Sequence, residues 1–246
     1  MKAIIFAGPS LPPAHRPALP GIEWRPPARQ GDVCRAALER PAIIGVVDGV
    51  FEVVPTVWHK EILWAMAEGI HVYGAASIGA LRAAELDVFG MVGIGRIYEA
   101  FRDGTLQDDD EVALLHGPAE VGYAPLTEAM VNVRVTLEYA AQAGVIRSDV
   151  AAYLIRVAKR IFYKERSWPS IIEALNLHAD EVDVHALTAQ LSAMRVDQKK
   201  RDACAMMHAI KARLTSAIRR FTSNYCFAGT AAWKTYSEAF HDVSEL

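Results

Sequence analysis

The sequence predicts an α/β protein: an N-terminal, mostly parallel sheet flanked by helices, followed by an α-helical C-terminal part, in a connectivity that need not be a common superfold. Three observations predict it. Short apolar runs alternate with helical patterns through the first half, the signature of βαβ crossovers. Each run is apolar on both faces, as strands of a covered parallel sheet are. From about residue 130 the pattern is helical throughout, which divides the chain into an α/β core at 1–130 and a helical region at 131–246.

The expected strands are "KAIIFAG" (2–8), "AIIGVVDG" (42–49) and "IHVYGAA" (70–76), each bounded by turn residues. The helices between and after them cover about 31–40, 56–69 and 77–89. The Pro-rich stretch "PPAHRPALPGIEWRPP" (12–27) reads as a surface loop. Five helical segments are expected in the second half, over 126–144, 147–163, 167–177, 183–196 and 199–218.

Composition restricts the function classes. With 52% hydrophobic residues the chain has material for a full core. A net charge of −3 argues against a basic nucleic-acid surface. The opening "MKAIIFAGPSLPP" is too short an apolar run for a signal sequence and reads as the first strand; no run reaches the length of a membrane helix. Cys34, Cys204 and Cys226 are odd in number and widely spaced, so neither a disulfide framework nor a zinc site is expected, and a reducing cytoplasm fits best.

The most informative stretch is "GAASIG" (74–79), where the third expected strand gives way to a helix. Open α/β sheets collect their ligands at this edge. Ala75-Ala76-Ser77-Ile78-Gly79 is a relaxed form of the G-x-S-x-G nucleophile elbow, with Ala in place of the first Gly. Ser77 is then a candidate nucleophile, and the amides of Ile78 and Gly79 are candidate oxyanion donors. Gly74, Ala75, Ala76 and Gly79 keep the turn free of bulky side chains. The alternatives are that Ser77 only caps the helix and that the small residues serve close strand–helix packing.

A serine needs a base. His59 and His71 are near in sequence, but Lys60 in "PTVWHKEILW" is the sharper candidate, because an apolar setting and a helix N-terminus both disfavour its ammonium. Its alternative is a solvated lysine, or one paired with Asp48 or Glu61. Asp48 either orients Lys60 or fixes its own Asp-Gly turn. "GPS" (8–10), "DG" (48–49) and "GAAS" (74–77) all follow expected strands and should gather along one sheet edge.

At these residues the chain resembles the TfuA-like family. The resemblance runs over about 42–120, "AIIGVVDGVFEVVPTVWHKEILWAMAEGIHVYGAASIGALRAAELDVFG" and onward, together with "IIFAGPSL". It implies a protein that acts beside a YcaO-type enzyme in peptide backbone thioamidation. It further implies hydrolysis of a thiocarboxylated ThiS-type sulfur-carrier protein through a Ser–Lys pair falling on Ser77 and Lys60, and help for YcaO in engaging its peptide; the carrier's flexible tail would need a narrow slot, for which Gly74, Ala75, Ala76 and Gly79 leave room. No cofactor and no metal are expected. The rival expectation is a non-catalytic adaptor that presents peptide or carrier to YcaO; a generic Ser–Lys hydrolase of small esters or amides is a third.

Other motifs carry less. "GMVGIGRIY" (90–98) has no G-x-G-x-x-G register and the chain has no G-K-[ST], so no nucleotide site is expected. The run Asp108-Asp109-Asp110-Glu111 reads as a solvated helix start, Arg82 and Glu85 as a surface pair, and "VDQKKRD" (196–202) as a solvated basic face.

Overall fold

Alternation along the central strands sends successive side chains to opposite faces, and this builds the layers of the fold. The computed structural model describes residues 2–52, 54–173, 175 and 184–241. Five strands, β1 (Ala3–Phe6), β2 (Ile22–Arg25), β3 (Ile43–Val46), β4 (His71–Ala75) and β5 (Val92–Ile94), pair in parallel in the order β2-β1-β3-β4-β5. The helices are α1 (Asp32–Leu38), α2 (His59–Ala67), α3 (Ile78–Leu86), α4 (Arg96–Arg102), α5 (Met130–Gln142), α6 (Ser148–Arg160), α7 (Trp168–Glu173), α8 (Val184–Ala193), α9 (Gln198–Leu214) and α10 (Ala231–His241). Positions 174, 176, 177 and 183 of the expected helices lie outside the described residues.

Ile4, Phe6, Ile44, Val46 and Val72 face one way, into a core with α1, α2 and α3. Ala3, Ile5, Ile43 and Tyr73 face the other way, against Ala203, Met206, Met207 and Ile210 of α9. A third core, around Leu137, Leu154, Trp168, Ile171 and Leu191, joins α5 to α8.

The strand order is that of flavodoxin-like doubly wound sheets, which bind ligands where the order reverses, outside the carboxyl ends of β1 and β3. It departs from them in having only a 3-10 turn, Pro13–His15, between β1 and β2. Two strands were hidden in the sequence. Ile22–Arg25, inside the Pro-rich stretch, adds to the edge beside β1 because Pro20 and Pro26 fall just outside its ladder. Val92–Ile94 forms the opposite edge inside the Gly-rich "GMVGIGRIY".

The acid run is not solvated throughout. Glu111 is buried and accepts both arms of the Arg134 fork at 2.9 and 2.8 Å, with Lys159 at 3.0 Å. Asp110 pairs with Lys159 and with Arg166, which is itself fully buried. A carboxylate taken out of water must be paired, and these bonds tie the 3-10 turn Asp109–Glu111 to the helical layer. The C-terminal segment crosses α2: the Phe221 amide donates to Gly69, the Tyr236 hydroxyl donates to Glu61 at 2.8 Å, and Trp233 packs among Trp58, Trp64 and Phe227. Among the described residues no helix is long and apolar enough to cross a membrane.

Candidate functional site

The chain turns within one residue at the end of β4. The Ser77 amide donates to the Ala75 carbonyl at 2.8 Å around Ala76, whose φ is +68°. This is a γ-turn with a non-glycine residue in the left-handed region, a conformation that costs on the order of 1–3 kcal/mol and that packing must hold. Ala76 is fully buried in that packing. The turn feeds directly into α3, where Ser77 occupies the N-cap position, yet its side chain makes no capping bond. The cap reading therefore does not account for the hydroxyl.

The neighbouring glycines serve packing rather than a slot. A Cβ on Gly79 would lie 1.8 Å from the Val46 carbonyl oxygen, and one on Gly74 would lie 2.1 Å from that of Gly79. Helix and strand meet backbone to backbone here, which leaves no room for a tail. The Gly79 amide is directed to the Val47 carbonyl at 3.4 Å, whereas the Ile78 amide has no hydrogen-bond partner among the described residues. Of the two expected oxyanion donors, Ile78 is the one left for a ligand.

Ser77, itself 2% exposed, lines a cavity of about 220 Å³ together with Pro9, Asp48, Gly49, His116 and Lys199. The loops after β1, β3 and β4 thus meet at the reversal of strand order. Asp48 fixes the first of these loops. Its Oδ2 accepts from the Gly8 and Ser10 amides at 2.8 and 3.0 Å, and its Oδ1 accepts from the Ser10 hydroxyl at 2.6 Å.

Lys60 is not brought to Ser77. Its ammonium donates to Thr230 Oγ1 at 3.0 Å and lies over the rings of Phe227 and Trp233, on the face of α2 that the C-terminal segment covers. His59 pairs with Glu85, and His71 meets the Arg219 carbonyl near the opposite end of β4. Glu61, one alternative partner for Lys60, is instead buried against the Gly31 amide, and burial raises its pKa.

The lysine that shares the cavity with Ser77 is Lys199, 2% exposed on the first turn of α9. Its ammonium donates to the Val112 carbonyl at 2.6 Å. Burial pushes its pKa below the ordinary lysine value, with Asp48 and Asp197 countering in part. Asn132 fixes the start of α9, its Oδ1 accepting from the Gln198 and Lys199 amides at 2.9 and 3.2 Å. The expected solvated face at 196–202 is thus partly interior: Gln198, Lys199 and Asp202 are all buried. The signal was helical spacing, since Lys199 stands on one stripe with Ala203, Met206 and Ile210, the residues buried against the sheet. His116 is the other base in the cavity, half-buried, with Nδ1 2.7 Å from the Gly117 carbonyl. Arg82, expected at the surface, is buried, donating to the Val57 carbonyl at 3.0 Å and to Glu85 at 2.7 Å.

Among the described residues no three His, Cys, Asp or Glu side chains are grouped to hold a metal ion. A comparison with curated proteins finds no match. A comparison with protein families matches residues 48–167 to the family described as TfuA-like protein. The match takes in Asp48, Lys60 and Ser77 and stops short of Lys199. Over residues 48–167, then, this chain is similar to the TfuA-like family.

Proposed function

We propose that this protein acts beside a YcaO-type enzyme in peptide backbone thioamidation, releasing sulfide from the thiocarboxylate of a ThiS-type carrier protein, with Ser77 as nucleophile and Lys199, rather than Lys60, as base. The TfuA-like match supports the link to YcaO. The observation that carries the chemistry is a serine hydroxyl that caps nothing, in a cavity shared with a buried lysine. Burial favours the neutral amine, which can take a proton. In the first step Ser77 Oγ bonds to the thiocarboxylate carbon and the C–S bond breaks. The hydroxyl proton passes through Lys199 Nζ to the departing sulfur, which leaves as HS⁻. In the second step water attacks the acyl-serine, Lys199 relays one of its protons to Oγ as the ester C–O bond breaks, and the carrier leaves as its carboxylate while the remaining proton passes to solvent. The Ile78 amide is the donor at hand for the oxyanion of each tetrahedral intermediate.

The test follows the carrier's mass after incubation with the protein. Wild type exchanges sulfur for oxygen. Ser77→Ala and Lys199→Met lose at least about 100-fold in rate, while Lys60→Ala and His116→Ala retain it. Loss on Lys60→Ala or His116→Ala alone moves the base to that residue. An unchanged carrier with wild type, with YcaO present or absent, favours the adaptor role instead.

A further inference from the structure

A groove of about 900 Å³ adjoins the Ser77 cavity. Ser77 lines the cavity and Ile78 the groove, Val112 the cavity and Ala113 the groove, while Phe51 and Tyr163 line both and form the throat between them. Glu52 and Lys164 pair at 2.7 Å beside that throat.

One wall of the groove is a track on α3. Ile78, Leu81, Arg82 and Glu85 line it at helical spacing and start directly after Ser77. From Ser77 to Glu85 a helix rises about 12 Å, the span of roughly three to four residues of extended chain. Most charges of the groove are already paired: Arg82 with Glu85, Lys159 with Asp108, and Asp110 with the buried Arg166. Asp109 and Arg160, one of each sign, have no ion-pair partner among the described residues, so the remainder sums to zero. Leu81 and the exposed Phe162 supply apolar contact, and Thr56 Oγ1 is buried in the wall without a hydrogen-bond partner. Such a wall suits an uncharged, extended peptide.

We infer that this groove seats the carrier's extended C-terminal tail, which runs along α3 and enters the Ser77 cavity between Phe51 and Tyr163. The inference rests on the carrier-hydrolysis reading, so its test separates binding from chemistry. Fluorescence anisotropy measures the affinity of a labelled ThiS-type carrier in its carboxylate form, whole or with its tail deleted, for wild type and for Ser77→Ala, Leu81→Arg and Phe162→Glu. Thioacetate, a thiocarboxylate with no tail, reports the cavity alone.

Deletion of the tail, Leu81→Arg and Phe162→Glu are each expected to weaken carrier binding by about tenfold or more, with Ser77→Ala binding as wild type and thioacetate turnover unchanged in Phe162→Glu. Phe162 is half-exposed, so its substitution does not threaten the fold if Leu81→Arg does. Carrier hydrolysis by wild type with binding indifferent to the tail and to both groove variants overturns the groove and spares the Ser77 chemistry. Tail-dependent binding without hydrolysis supports the groove and overturns the chemistry. Absence of both binding and hydrolysis overturns the two together.

Discussion

Replacing Gly79 with Ala separates packing from substrate access at the strand–helix junction. The added Cβ would sit 1.8 Å from the Val46 carbonyl oxygen, where ordinary contact begins at 3.4 Å, so about 1.6 Å must be found. The obstacle is backbone, which no rotamer change relieves. The start of α3 must withdraw from β3, stretching further the Gly79 amide contact to Val47, already 3.4 Å long. Overpacking of a filled interior costs about 1–3 kcal/mol, and a backbone obstacle lies at the upper end of that range. For a chain of this size each kcal/mol lowers Tm by about 2–4 °C, so a loss of about 6–12 °C is expected. Differential scanning calorimetry of wild type and Gly79→Ala measures it. A Tm within about 2 °C of wild type, combined with a raised KM for carrier, would refute the packing argument and restore these small residues as a slot for the tail.

Three further outcomes follow from the same contacts. Because the folded pKa of Lys199 is depressed below 10.5, the unfolded chain holds a proton that the folded chain lacks between those two values. The stability of wild type relative to Lys199→Met should therefore rise with pH across that window, as denaturant midpoints at a series of pH values would show; the opposite slope would sink the neutral-amine assignment. Asp48→Asn keeps a carbonyl oxygen for the Gly8 and Ser10 amides but removes the charge and puts an NH2 group where the Ser10 hydroxyl donates, and should cost about 1–2 kcal/mol in urea unfolding, with hydrolysis impaired as the 8–10 loop loosens. Tyr236→Phe removes the hydroxyl bond to buried Glu61 and should cost about 1–2 kcal/mol while leaving Ser77 chemistry intact, checked by unfolding and by the carrier mass assay.

The central sheet was legible because β1, β3 and β4 are continuous apolar runs, and a strand covered on both faces has to be. β2 and β5 were not. Ile22–Arg25 is half-exposed and set among prolines, and Val92–Ile94 is three residues long with a glycine at its centre. At the site, Ser77 and Asp48 could be placed because each directly follows a strand, so local order fixes which edge they reach. The lysine that shares the Ser77 cavity was a different kind of problem. Lys60 is close to Ser77 in sequence, but the turn of α2 carries it to the outer aromatic cluster, while Lys199 arrives from a distant helix by tertiary packing. Charged neighbours made 196–202 look solvated, although the i, i+4, i+7 stripe through Lys199 was there to be seen. Ser77 as a cap and Gly74 and Gly79 as a slot were questions of side-chain distance, which spacing alone does not decide.

That α9 supplies one whole cover of the sheet has a consequence for the order of events during synthesis. The last strand ends at Ile94 and the helix that covers Ile5, Ile43 and Tyr73 ends at Leu214. At a translation rate of about 5–20 residues per second, the nascent sheet carries a bare apolar face for roughly 6–24 s before its cover leaves the ribosome. Over most of the same interval the Ser77 cavity lacks its Lys199 wall, which arrives only with α9.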